Sequence, residues 1–407
     1  MPTPRAYVPG PQPQLAWLRI PCLAMGIVLW VTLIGTQASP GVLDNFGSVK
    51  GWDFPQFYVD GWIVAHGLAG RLHESAFVHA VAAEQVSPQV DYTYGVYGPQ
   101  IGLVFSPLAR LPYPWALRSW QIVSAVLYAV AWWSLLARPP ADTEVRRSYV
   151  LVAFALPALV LDLAYGQLAV VLLAAVALGF SALRRGRPIR AGLLLGALFV
   201  KPQLLIPFCA VLVVGRAWRV LAGIALGCAG QVLVTAWVLG SSVWVRYAAM
   251  VYTFGDIAPA LQSKPHLQQS LAVMWRTWFV TSPVALLTWA LACVGIIVVA
   301  GVAWARTSNV DLRGTAALCA MTLSAAHFYV YDLLALAPVL LWLPRATWHG
   351  SAGRRALVGS ACTLLALCPL VDPAVALATG MHVTPVALLG ALAAASVGAA
   401  EGARLEA

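Results

Sequence analysis

Apolar stretches long enough to cross a bilayer set the fold of this chain before any motif does. They run at about 17–36, 114–137, 148–164, 167–183, 219–239, 283–304, 314–329, 331–343, 356–371 and 383–400. About 20 such residues span the hydrocarbon as a helix. Over the whole chain 61% of residues are hydrophobic and only 10% charged, too little charge to clothe a soluble domain of 407 residues. The expected fold is an all-α polytopic membrane protein, one membrane domain over 1–407, with no internal repeat and no soluble appendage. The shorter runs fit tilted or broken helices covered by their neighbours. The first run is too long for a removable signal and lacks a small-residue cleavage site, so it stays as the first span. All seven cysteines fall within apolar runs without metal-ligand spacing and read as small buried hydrophobes.

Arginines orient the bundle. The loops "RPPADTEVRR", "RRGRPIR", "GRAWR", "ARTSNVDLR" and "PRATWHGSAGRR" are basic, and basic loops stay in the cytoplasm. All of them share that side if residues 98–112 do not cross and 190–215 form a hairpin of two half-length helices. The net charge of +10 is then a topology signal, and no nucleic-acid partner is expected. The other face collects a long loop at about 37–97, the turn "LDLAYGQLA", the loop 240–282 with "KPHLQQSL", and the break "AHFYVYD". Residues 60–86 carry apolar positions at helical spacing, which predicts amphipathic helices on the membrane surface.

That outer face holds the chemistry. Asp53, in "WDFPQFYVDGW", is placed to take a proton from a substrate hydroxyl, or else is a solvated loop acid or helix cap. Asp60, followed by Gly61, reads as the cap that opens a surface helix. Lys201 in "LFVKPQLL" stands at membrane depth, where a lone ammonium costs about 2.5–3.5 kcal/mol. It either snorkels or meets an anion, and Pro202 breaks the helix so that the hairpin apex points at a phosphate. His327 can orient a hydroxyl as a neutral imidazole, pair with a phosphate as an imidazolium, or be structural, with Asp332 and Tyr329 and Tyr331 as near partners. Gln167, Gln268 and Gln269 add amides on the same face. No histidine or carboxylate pair has metal-ligand spacing, and no phosphate-binding glycine loop or nucleophile elbow occurs, so neither a metal nor another cofactor is expected.

The order of these pieces is familiar. "DFPQFY", a Gly-Pro step before "SPLARLP", "YGQL", "RRGRPIRAGLLLGALFVKP", "QQSL" and a late "HFYVYD" together resemble the polyprenyl-phosphate-sugar-dependent glycosyltransferases of family 87 in the GT-C superfamily. The resemblance implies a GT-C-type bundle of about 10–12 transmembrane helices with a long first extracytoplasmic loop. It implies inverting transfer of a hexose, usually mannose, from a polyprenyl phosphate to a glycolipid or cell-envelope glycan on the extracytoplasmic side, and the high Ala, Arg, Trp and Pro usage points to a bacterial inner membrane. Carried over by motif, Asp53 is the general base and His327 a catalytic residue near the sugar and phosphate. Lys201 matches the Lys-Pro lysine, read here as a donor-phosphate contact. Tyr58, Asp60, Gln167, Gln268, Gln269 and Tyr331 complete the expected substrate-binding set. This chain has Gln268-Gln269-Ser270 where the family often has Asn-Gln-Ser, and only His327 where it often has paired histidines. A lipid-linked-sugar flippase, or a non-catalytic subunit of the same fold, is the alternative; repeated halves would mark a transporter, and none is visible.

Overall fold

The computed structural model describes residues 19–90, 95–137, 143–253, 264–279, 282–347 and 350–406. Residues 17–18 of the expected first span, 91–94 and 254–263 of the outer loops, 138–142 of one basic loop and 348–349 of another lie outside these. In chain order the helices are α1 (Arg19–Thr36), α2 (Phe54–Ala65), α3 (Ser75–Gln85), α4 (Pro99–Phe105), α5 (Tyr113–Leu136) and α6 (Thr143–Phe154). Next come α7 (Pro157–Tyr165), α8 (Ala169–Arg184), α9 (Pro188–Leu195), α10 (Pro202–Val214), α11 (Trp218–Leu239) and α12 (Ser242–Tyr252). The last are α13 (Leu271–Phe279), α14 (Pro283–Arg306), α15 (Val310–Ser324), α16 (Ala337–Thr347), α17 (Ala352–Thr379) and α18 (Thr384–Glu406).

Among the described residues there is no strand, only the isolated bridges Leu43–Val49 and Gln268–Tyr329. Among the described residues seven segments are long and apolar enough to cross a membrane, and four shorter apolar helices accompany them. The protein is an all-α polytopic membrane protein. Lipid-facing helices are apolar on their outer side: α14 leaves Leu286, Leu287, Leu291 and Val294 exposed, which water would not tolerate and hydrocarbon does. The segment Val330–Thr347 is instead buried, with Leu334, Ala335 and Trp342 wholly covered in the bundle centre.

The hairpin expected at 190–215 is present. A 3-10 turn, Gly196–Val200, continues α9 up to Lys201, and α10 starts at Pro202. Residues 98–112 likewise do not cross, because α4 has seven residues and reaches only about 10 Å. Two boundaries differ from expectation. The run at 314–329 stops being helical at Ser324, and the next begins as a 3-10 turn at Val330 whose first turn is closed by a reciprocal cap between Tyr329 and Asp332.

Asp60 does not open a surface helix. The helix starts six residues earlier, at Phe54, with Pro55 in its first turn, where a fixed φ and a missing N–H suit a helix start. Asp60 lies mid-helix, 2% exposed, with its Oδ1 unpartnered. Nor does α2 simply rest on the membrane, since Phe54 and Phe57 pack on Phe105, and Tyr58 on Tyr113.

The glycines of the segment before Lys201 have a packing role. A Cβ on Gly192 would collide with the Val220 carbonyl and come within 2.7 Å of the Gly223 Cα, and one on Gly223 would collide with the Ile189 carbonyl. Gly196 and Gly227 repeat the approach one turn on. This reciprocal pattern of small residues four apart brings α9 and α11 into backbone contact, the usual way to join helices where lipid offers no hydrophobic drive. Gly192→Val is therefore expected to lower the thermal midpoint in detergent, by overpacking worth about 1–3 kcal/mol. An unchanged midpoint would contradict this crossing.

The bundle has two chemically distinct ends. α8 runs from beside Gln167 to Arg184, 16 residues or about 24 Å. There Arg184 pairs with Asp311 at 2.5 Å, and α15 returns from Asp311 to Ser324, just before His327. Gln167 and His327 thus share one end and the Arg184–Asp311 pair the other.

Candidate active site

Three consecutive residues of "YGQL" hold Asp53. The Asp53 amide donates to the Tyr165 carbonyl at 3.1 Å. Gly166 ends α7 in the left-handed conformation at φ 65°, and a Cβ there would meet the Phe54 Cβ at 2.7 Å. Only glycine meets both demands. Gln167 Nε2 then donates to Asp53 Oδ2 at 2.7 Å and to the Tyr331 hydroxyl at 3.1 Å. Gln167 is itself fixed, its Oε1 accepting from the Leu168 amide and its carbonyl from the Trp120 indole. Burial raises the half-buried Asp53 carboxyl above the usual aspartate range, opposed by the hydrogen bonds of Gln167 and Tyr331 and by the charge of Lys201. A carboxylate so placed is a better base than a solvated one.

Lys201 does not snorkel. It caps the junction of the two half-helices and pairs with Asp332 Oδ1 at 2.5 Å, the two side chains 3% and 1% exposed. Its ammonium also lies 5.0 Å above the Tyr331 ring. Asp332 Oδ2 accepts from the Tyr329 amide, so the aspartate is the partner of the lysine and of the chain turn, not of His327.

A line of rings leads from Asp53 to His327. Trp52 meets Tyr165 at 5.1 Å, Tyr165 meets Tyr331 at 5.3 Å, Tyr331 stacks on Tyr329 at 5.6 Å, and Tyr329 meets His327 at 4.7 Å. Lys264 sits 5.5 Å over Trp52 at the outer edge. Aromatic faces beside hydroxyls and a carboxylate suit the mixed apolar and polar surface of a sugar. The His327 imidazole is pushed down to about 3 by burial and then by the charges of Lys201 and Arg276, so at neutral pH it is uncharged. Of its two expected modes, the structure favours the neutral hydrogen-bonding one.

The remaining expected residues divide. Gln268 is buried, bridges to Tyr329 and lies 3.4 Å from Arg276 Nη2. The Gln269 amide is engaged at both ends, donating to Asp372 Oδ2 at 3.0 Å and accepting from the Thr384 hydroxyl, while its backbone amide donates to the Phe328 carbonyl. It braces the loop that carries His327. Tyr58 donates to the Leu111 carbonyl at 3.0 Å and, like Asp60, is buried where α2 packs on its neighbours.

Several further groups stand outside the expected set. Asp372, wholly buried in α17, accepts from His382 Nδ1, from Gln269 and from the Val383 and Thr384 amides. Asp162, equally buried, accepts from the Ala169 amide at the start of α8. A lone acid inside an apolar run is itself a signal, and "LVDPAV" and "LVLDLA" both display it. Arg276, which donates to the Ala326 carbonyl at 3.0 Å, sets a guanidinium beside His327.

Compared with known families, residues 96–328 match glycosyltransferase family 87. The matched stretch holds Gln167, Lys201, Gln268, Gln269 and His327; Asp53, Tyr58, Asp60 and Tyr331 lie outside it. No curated protein and no solved structure matches the chain. With more than half its length matched and a membrane-spanning helical bundle around the matched residues, this protein belongs to glycosyltransferase family 87 and is a membrane glycosyltransferase.

Proposed function

We propose that the chain transfers a hexose, mannose by family expectation, from a polyprenyl phosphate to a hydroxyl of a glycolipid or envelope glycan. The reaction inverts the anomeric centre and takes place on the extracytoplasmic face of a bacterial inner membrane. The observation that carries this reading is the hydrogen-bonded set Asp53–Gln167–Tyr331, within electrostatic reach of the buried Lys201–Asp332 pair. A proton acceptor and an ammonium both stand close to Tyr331, whose hydroxyl shares Gln167 with Asp53 and whose ring lies 5.0 Å from the Lys201 ammonium.

In this reading the acceptor oxygen attacks the anomeric carbon and gives its proton to Asp53. The bond from that carbon to the phosphate oxygen breaks, and its electron pair leaves with the polyprenyl phosphate. The phosphate departs as an anion without a general acid, so a single carboxylate is enough. Lys201 meets the charge that grows on the phosphate, and fixed charges and donors of this kind usually contribute more to catalysis than any other effect. Asp332 neutralises the lysine at rest and orients it. His327 donates an N–H to a sugar hydroxyl or to the phosphate, and Arg276 adds positive charge on that side. The placement of the arginine-rich loops supports the assigned face through the cytoplasmic preference of basic loops.

The test is incubation of the purified protein with several polyprenyl-phosphate sugars and a glycolipid extract, read by mass spectrometry. A new hexosylated product and free polyprenyl phosphate are expected with one donor, and the anomeric proton of the product gives the stereochemistry. Scrambling of labelled donor across liposomes, with no new glycosidic bond, would instead identify a flippase.

A further inference from the structure

A cavity of about 250 Å³ is lined by Gln37, Ser39, Gly41 and Lys50, three residues before Asp53, and by Tyr113, Trp115 and Arg118. It lies where α1 ends and α5 begins. A water occupies about 30 Å³ of liquid, so the space admits a group much larger than one water. Its charged lining is wholly cationic. Lys50, 5% exposed, donates to the Ser39 and Gly41 carbonyls. Arg118 donates to the side chain and carbonyl of Gln37 and to Gln121.

Neither cation forms an ion pair among the described residues. Asp44, a carboxylate within electrostatic reach of Lys50, accepts the Phe46 and Ser48 amides on its Oδ1 and forms no ion pair with the lysine among the described residues. An ammonium has three donors and a guanidinium five, which leaves one N–H on Lys50 and two on Arg118 unassigned. Burial and the neighbouring guanidinium hold the Lys50 ammonium below the usual lysine range, a strain that a bound anion relieves. The N-terminus of the 24-residue α5 adds positive potential.

We propose that this cavity seats the phosphodiester of an anionic membrane lipid, the lipid that carries the acceptor hydroxyl. The surroundings suit a lipid. Trp115, which lines the cavity and is 68% exposed, has the character of an interfacial aromatic. Beyond it the exposed Val31 and Ile34 of α1 and Ile122 and Val126 of α5 give acyl chains apolar surfaces. The distance suits an acceptor. Lys50 and Asp53 are three residues apart, so their Cα atoms lie within about 11 Å, a gap that a sugar headgroup bridges. The inference rests on the reading of Asp53 as the base.

The experiment measures binding of phosphatidylglycerol and phosphatidylcholine to the purified full chain by native mass spectrometry, for wild type, Arg118→Gln, Arg118→Lys and Lys50→Met. Wild type is expected to prefer phosphatidylglycerol by at least about tenfold, the worth of one charge-assisted hydrogen bond. Arg118→Gln and Lys50→Met lose the preference, and Arg118→Lys keeps most of it. A preference undiminished in both Arg118→Gln and Lys50→Met overturns the proposal. So does a wild type that is stabilised against heat by millimolar inorganic phosphate but not by phosphatidylglycerol. The two readings fail separately: a wild type that forms no glycosidic bond yet loses its lipid preference on Arg118→Gln keeps the lipid seat and loses the transferase mechanism.

Discussion

Asp53→Asn abolishes glycosyl transfer, lowering kcat by about 10²–10⁴-fold, the usual worth of a positioned base, while the protein inserts and folds. The substitution keeps the shape of the side chain and an oxygen for Gln167, so the loss falls on proton transfer. The pH profile of the wild type carries the same signature. Burial raises the Asp53 carboxyl above the usual aspartate range, so kcat/KM falls toward acid pH at a higher pH than a solvated aspartate would give. His327, pushed down to about 3, adds no inflection near neutrality. For stability the sign is opposite to that of a salt-bridged acid. The folded state binds this proton more tightly than the unfolded one, so the contribution of Asp53 is best at acid pH and declines as pH rises through the raised value. Asp53→Asn accordingly leaves the thermal midpoint at neutral pH unchanged or higher. Near wild-type turnover of the purified variant would remove Asp53 from the mechanism.

The bundle is legible in the sequence because lipid imposes one demand on every spanning residue, and the apolar runs report it directly. The hairpin at 190–215 is legible for the same reason: its length is too short for two spans, and its Lys201-Pro202 apex cannot lie in hydrocarbon as a straight helix. What local sequence does not convey is pairing at a distance. Lys201 announces that it needs an anion, but its partner Asp332 lies 131 residues away, and His327 is the nearer match for that aspartate along the chain. Asp372 is conspicuous as an acid between apolar neighbours, yet its role stays hidden because its partners Gln269 and His382 come from separate loops. Asp60 misleads for a local reason: an Asp-Gly step resembles a cap, but Pro55 has already started the helix. "YGQL" is the most compressed signal, since its backbone, its missing Cβ and its amide each hold Asp53 or its helix, and only the amide can be recognised without the fold.

Breaking the Lys201–Asp332 pair separates its two duties. Asp332→Asn leaves a charged lysine 3% exposed with no counter-ion, and losing one partner of a buried pair costs about 3–5 kcal/mol. A large drop in thermal midpoint is expected, with activity lost for want of folded protein. Lys201→Met fails in the same way, because Asp332 then stands alone. The double variant Lys201→Met with Asp332→Leu buries no charge, and such replacements are often neutral or stabilising; its midpoint should recover, less the cap that Asp332 gives the Tyr329 amide. Transfer should not recover, since the ammonium that meets the leaving phosphate is gone. Lys201→Arg keeps the pairing and the charge but carries them on a larger planar head, so it should fold and retain partial turnover with a raised KM for the donor. A double variant that is stable and transfers sugar at the wild-type rate would reduce Lys201 and Asp332 to a structural pair and leave Arg276 and His327 as the groups that meet the phosphate.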